Sequence, residues 1–477
     1  MCTGRRVRVA VAAMAAALVG LAGCSASPAE GGPGVSPPAG SGPAGSGPAG
    51  TPGGGSAPAR PPATAPGDWP TYHRDNLRSG VAPGLPSVRS LSVAWRAGLD
   101  GAVYGQPLVV GGALLVGTEN DTVYALDAAS GRVRWSSHLG TPVPQSSLPC
   151  GNIDPLGITG TMVYDPATRL VFAVAETTGG AHTLFGLDVG SGAVRYRRAV
   201  EPPRGDREAH QQRAALTLLD GWVYIPYGGL AGDCARYVGT VIAAPTTGSE
   251  PLLSYAIPTS REGGIWAPGG GVVVGGRLLY AVGNGESTTS YDGSDSVIAL
   301  DPQLRLVDRF WPTTWAQDNA QDADLGSMTP APVGPYLLAN GKAGIGYVLR
   351  PDHLGGQGGQ RAQMPTCRPF GAAAVAGSTV YLPCADGTRA LRVLSPDGRM
   401  VLVWQAPVPA NGPPVVGGGL VWAVDYHAGV LYTLDPRTGT VRHHLDLGDV
   451  PHFASPTLGA GRAYIGTMSG VLAVAAG

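Results

Sequence analysis

The sequence predicts an all-β chain, an eight-bladed β-propeller of four-stranded antiparallel blades closed by pairing its N- and C-terminal strands. Three observations carry this. Of 477 residues 75 are Gly and 44 Pro, and only 14% are charged, which excludes a coiled coil or helical bundle. Short runs rich in Val, Leu, Tyr and Trp alternate with Gly-Gly, Asp-Gly and Ser-Gly turns, with no long amphipathic helical window among them. A unit of roughly 40 to 50 residues recurs along the chain.

The first element is a targeting segment. Arg5, Arg6 and Arg8 precede an apolar run over residues 9–22 that is too short for a spanning helix. Residues 1–23 read as a signal peptide, and Cys2 leaves with it. The run closes on Leu21-Ala22-Gly23-Cys24, which resembles the bacterial lipobox, so Cys24 is expected to carry lipid and anchor the chain to a membrane. Residues 24–67 are almost all Ser, Ala, Pro, Gly and Thr, a composition that cannot bury a core and reads as a tether.

The propeller is expected over residues 68–477. Its unit is clearest in Tyr124-Ala-Leu-Asp-Ala-Ala-Ser-Gly131-Arg-Val-Arg-Trp135, with echoes at Leu184–Gly192, Val297–Asp301 and Leu431–Gly439. In each an apolar strand ends in Asp; where the echo is complete, a tight turn follows with Gly where positive φ is needed, and an outer strand begins. Upstream lies a hairpin between two apolar runs, as in Val109–Val116 and Val415–Val424, making four strands per unit. Units start near residues 104, 157, 213, 266, 328, 369, 412 and 453. The last supplies about three strands, and Leu91–Leu99, with Trp95 at the aromatic position, is expected to complete it and remove the open edge. Seven blades is the competing count.

The opening Asp68-Trp-Pro-Thr-Tyr-His-Arg-Asp-Asn-Leu-Arg-Ser-Gly80, the Ala-Leu-Asp-Ala unit and Gly263-Gly-Ile-Trp-Ala-Pro-Gly-Gly270 resemble the pyrroloquinoline-quinone (PQQ) repeat propellers. That superfamily includes quinoprotein alcohol dehydrogenases and the lipoprotein propeller of the outer-membrane barrel-assembly machine. The resemblance covers residues 68–477.

In such a blade the turns joining the second strand to the third share one face with the blade-to-blade connections. Cys150, Trp266 and Asp322 are expected in connections, and Cys234, Asn284 and Lys342 in second turns, so all six belong to one end of the funnel. By resemblance, Trp266 is the tryptophan that stacks on a quinone, Asn284 an amide ligand of calcium, Asp322 the base that takes an alcohol proton and Lys342 the cation beside the quinone oxygens. That is coherent chemistry for PQQ with calcium. Each residue also has a structural reading: rim packing for Trp266, a turn for Asn284, a solvated loop acid for Asp322. Lys342 stands out as the only lysine in the chain.

Two departures from the dehydrogenase pattern follow. No adjacent cysteine pair occurs, and the region of the expected calcium-binding glutamate, Gly232-Asp233-Cys234, offers only the shorter Asp233. Cys150, Cys234, Cys367 and Cys384 form an even set in an exported domain, so disulfides are expected. Cys367 and Cys384 bracket a hairpin turning near Gly377, which leaves Cys150 to pair with Cys234. Gly355–Gly359 reads as a loop and His443-His444 as part of an outer strand.

Thirty-two basic against 33 acidic residues leave a net charge of −1 with no basic block, so nucleic acid is not an expected partner. The leading expectation is a monomeric, lipid-anchored binding or scaffolding propeller in the cell envelope, engaging an envelope protein or small ligand at its funnel. The alternative is a PQQ- and calcium-dependent alcohol dehydrogenase with an altered metal site.

Overall fold

The computed structural model describes residues 67–477; the expected signal peptide, Cys24 and nearly all of the tether lie outside the described residues. The strands form eight blades. The first contains Leu108–Val110, Ala113–Gly117, Thr122–Asp127 and Val133–His138 in antiparallel order, from the channel outward. Successive innermost strands are Val163–Asp165, Thr217–Leu219, Val272–Val274, Ala331–Val333, Ala374–Ala376, Val415–Gly417 and Thr457–Gly459. These begin a few residues after the starts read from the sequence, because each unit opens with its connection.

The eighth blade is closed as expected. Leu91–Gly98 pairs antiparallel with Gly470–Ala476, in register from Leu91 opposite Ala476 to Gly98 opposite Gly470. Each apolar core lies between neighbouring blades. Leu115 and Val123 of blade 1 meet Val171 and Phe185 of blade 2, and Trp422 of blade 7 shares a cluster with Tyr464 of blade 8 and Leu114 of blade 1. A blade therefore buries its two faces only when both neighbours are present, and ring closure completes the last core.

The recurring sequence unit explains how blades lock together. Trp95, Trp135 and Trp404 on outer strands lie flat against Gly131, Gly192 and Gly439 in the turn of the next blade. Those glycines have φ of 74°, 73° and 71°. A Cβ on Gly192 would sit 2.5 Å from the Trp135 ring, so the position needs glycine for both conformation and space. The Trp135 indole N–H donates to Val189 O at 3.0 Å, and Asp188 Oδ1 accepts from Ser191 N at 2.9 Å to hold the turn.

The segment from Trp69 to Ala82 crosses the channel on the face opposite the second turns. Its backbone bonds successively to Val109, Tyr164, Val273, Val375 and Val416, touching five blades. Arg78 is buried within it and donates to Gly271 O, Thr71 Oγ1, Tyr72 O, Leu216 O and Thr217 Oγ1. Tyr72 fills the channel against Ala215 and Ala372.

One local reading changes. Gly356–Gln357, expected within a loop, pairs in parallel with Phe310–Trp311 and adds a fifth strand to the outer edge of blade 4. Positive φ at Gly355, Gly356 and Gly358 lets the loop fold back to reach that edge.

Candidate functional site

The funnel is built where the topology requires, from connections and second turns. Trp266 comes from the connection between blades 3 and 4, and Asp322 from that between blades 4 and 5. Asp233, Asn284 and Lys342 come from the second turns of blades 3, 4 and 5. All five line one cavity of about 360 Å³. The two cysteine pairs are also joined in the structure: Cys150 to Cys234 with Cα atoms 6.1 Å apart, beside the cavity, and Cys367 to Cys384 at 5.7 Å.

Lys342 reaches its place through a close backbone approach. A Cβ on Gly341 would fall 2.1 Å from Asp324 O, and the Lys342 amide donates to that same oxygen at 2.8 Å. The ammonium then stands between two carboxylates, paired with Asp322 and 3.1 Å from Asp324 Oδ2. It also lies 5.5 Å from the Trp266 ring centroid, within cation–π range. Burial works against the ammonium, but Asp324 and Asp322 more than offset it and hold Lys342 above the usual lysine range. Burial pushes Asp324 up, with Lys342 pulling it back. Asp324 is sealed, whereas the Asp322 side chain is 60% exposed and faces the cavity.

The expected calcium ligands are committed elsewhere. Asp233 Oδ1 accepts from the Tyr237 hydroxyl at 2.6 Å. The Asn284 amide donates to Glu262 Oε2 at 3.3 Å, and Glu262 Oε1 pairs with Arg261 Nη2 at 2.8 Å. Arg261 also donates to Asp233 O at 2.8 Å. Burial raises Glu262 above the usual glutamate range, opposed by Arg261. Glu262 is the carboxylate beside Asn284 that sequence reading missed, because it lies 22 residues before its partner, in the connection into blade 4 and not in that blade's second turn. Among the described residues no group of three or more His, Cys, Asp or Glu side chains is placed to hold a metal ion. The residues present do not fit calcium: the Asn284 amide and Glu262 hold each other, and Arg261 supplies the positive charge a cation would bring.

The opposite wall was not visible in the sequence. Phe370 and Phe453 stack with centroids 5.9 Å apart, and each lies 6.4 Å from the Trp266 ring. Arg213 sits 5.6 Å from the Phe453 centroid and 5.7 Å from that of Tyr104. Arg368 joins the same lining. A connection can aim any of its side chains inward, and nothing in the local pattern distinguishes Arg213 from its neighbours.

The architecture defines an eight-bladed propeller whose connections and second turns enclose a site on one face of the channel. The similarities to known proteins support a PQQ-repeat β-propeller like those of the quinoprotein alcohol dehydrogenase-like superfamily. The family described as outer membrane protein assembly factor BamB matches residues 90–303. Polyvinylalcohol dehydrogenase of Sphingopyxis sp. (strain 113P3) is 26% identical over 340 residues, covering 60% of this chain and 49% of that protein. The dehydrogenase subunit of alcohol dehydrogenase (quinone) from Gluconobacter oxydans (strain 621H) is 27% identical over 244 residues, 45% of this chain and 31% of that one. The chain thus spans about half or less of the length of these two relatives. In structure it is similar to quinohemoprotein alcohol dehydrogenase from Comamonas testosteroni, with a TM-score of 0.63 at 16% identity over 86% of this chain and 80% of that one. BamB from Moraxella catarrhalis follows with a TM-score of 0.55 at 15% identity over 80% and 97%.

Proposed function

We propose that this protein is an exported, membrane-anchored propeller that binds a small ligand in its funnel and serves as a binding or scaffolding component of the cell envelope. One observation carries the reading: Trp266, Phe370, Phe453, Arg213 and Lys342, drawn from five separate connections and turns, enclose a single cavity. An apolar wall with a few convergent polar groups is the usual form of a ligand site. Two disulfides favour an oxidising compartment. Cys24 supplies the anchor and residues 24–67 the tether, and a Cys24→Ala form is expected to leave the membrane fraction.

The dehydrogenase reading is favoured by the relatives that act on alcohols and by the Trp266–Lys342 pair. In that reading Asp322 is the base, being the one carboxylate of the Asp322–Asp324 pair that reaches the cavity, and Trp266 and Lys342 flank the quinone. The calcium half of the cofactor finds no matching donor set, so no step through it is derived.

The test separates the two. Native mass spectrometry of the purified full chain is expected to show a retained small molecule that Trp266→Ala loses. Incubation with PQQ and calcium is expected to give no dye reduction with primary or secondary alcohols. Turnover that falls by about 10² to 10⁴ in Asp322→Ala would establish the dehydrogenase instead.

A further inference from the structure

Two arginines of this fold are almost fully buried against the channel, and they differ in what surrounds them. Arg78 is 2% exposed and spends its guanidinium on five oxygen acceptors of the chain, a structural role. Arg213 is 8% exposed, lines the cavity and makes one hydrogen bond, from Nη2 to His452 O at 3.2 Å. Among the described residues no carboxylate forms an ion pair with it. Glu119 attracts it only from beyond ion-pair distance, and a buried cation without a contacting counter-ion is costly, a cost relieved when an anion arrives.

The surroundings specify the shape of that anion. Tyr104 and Phe453 lie against the guanidinium at 5.7 and 5.6 Å, and one Nη2 bond goes to His452 O, which leaves the remaining N–H donors for a ligand. Such donors match a planar oxyanion through paired hydrogen bonds. Arg368, exposed on the same lining, also has no ion pair among the described residues, whereas Lys342 at the far side is matched by two aspartates. Beside the unpaired charges the wall is aromatic, with Phe370 and Phe453 stacked at 5.9 Å.

We infer that the funnel ligand is a small organic acid, its carboxylate held on the N–H edge of Arg213 with Arg368 alongside and its flat apolar body against Phe453 and Phe370. The inference rests on the funnel-binding reading above and names the ligand class.

The test is calorimetric titration of the full chain with naphthoate, its uncharged methyl ester and inorganic phosphate. Naphthoate is expected to bind, with the ester at least about tenfold weaker and phosphate unable to compete. Arg213→Gln should lose about tenfold or more for the acid and leave the ester unchanged, while Arg213→Lys, which keeps the charge without the fork, falls between. If Arg213→Gln fails to fold, Arg213→Lys and the exposed Arg368→Gln carry the comparison. Equal binding of acid and ester, or variants that do not weaken the acid, would overturn the ligand class while leaving funnel binding intact. Competition by phosphate would replace the carboxylate with a tetrahedral anion. Binding of neither naphthoate nor ester at millimolar concentration would also overturn the class, and the retained-mass experiment would still judge the funnel reading separately.

Discussion

Lys342 Nζ stands 3.1 Å from Asp324 Oδ2 while pairing with Asp322, so one ammonium serves a fully buried carboxylate and a solvent-facing one. The two acids therefore differ in what they cost when the lysine is lost.

Lys342→Met is expected to destabilise the propeller by about 3 kcal/mol or more, because it strands Asp324 in a sealed site. Asp322→Asn should cost less than about 1 kcal/mol, since its exposed pair is screened by water. Combining Lys342→Met with Asp324→Asn should recover much of the loss. Denaturant unfolding checks this, and equal effects of the two single variants would contradict the assignment.

The Gly192–Trp135 contact predicts a second asymmetry. Gly192→Ala forces a side chain into positive φ and places a Cβ 2.5 Å from the indole. A loss of about 2 to 4 kcal/mol is expected. Gly179 also has positive φ but nothing within 4 Å of a Cβ, so Gly179→Ala should cost only about 1 kcal/mol. Thermal melts of the two variants separate conformation from packing.

Between blades 1 and 2 the fold also stores a pH dependence. Burial pushes Glu119 up to about 7, with Glu176 adding to it and Arg213 opposing it, and pushes Asp121 up to about 9, with Glu119 and Glu176 adding to it. For His182 burial works against protonation, but Glu176 at 3.2 Å and Glu201 at 3.2 Å outweigh it and bring the ring up to about 9. All three groups bind protons more tightly folded than unfolded. Their contribution is therefore fully present at low pH and is lost as pH rises: through about 7 for Glu119, and through about 9 for Asp121 and His182. Glu201, held below the usual range despite burial by its bond to His182, contributes in the opposite sense at acid pH. The melting temperature is expected to fall from mildly acidic to alkaline pH, and Glu119→Gln should flatten the acid-to-neutral part by at most roughly 3 kcal/mol. A melting temperature that rises over this range would reject the account.

Much of this protein was legible in the order of its residues. The Asp-to-Gly turn followed by an outer strand marks blades 1, 2 and 7 at Asp127–Gly131, Asp188–Gly192 and Asp435–Gly439, and Trp95 stood at the position of Trp135 in a strand that had no local partner. Those features are local or periodic, and pairing Leu91–Gly98 with the last blade needs only the hydrophobic period and the count. The same count sent Trp266, Asn284, Asp322 and Lys342 to one face, because propeller topology assigns every connection and second turn to one end.

Side-chain partnership was decided only by the tertiary structure. Asn284 was read with Asp233, yet Asn284 bonds Glu262, and Asp233 bonds Tyr237. Asp322 was singled out with no sign that Asp324 would be the sealed acid beside the lysine. Arg213 was indistinguishable from any other connector residue, and the path of Trp69–Ala82 across the channel had no periodic signature. Turn chemistry and burial periodicity act between residues a few positions apart, so the sequence alone determined the blades, their closure and the face that carries the site. Which charges meet depends on the angle at which separate connections enter the funnel, a quantity set only when all eight blades have closed around it.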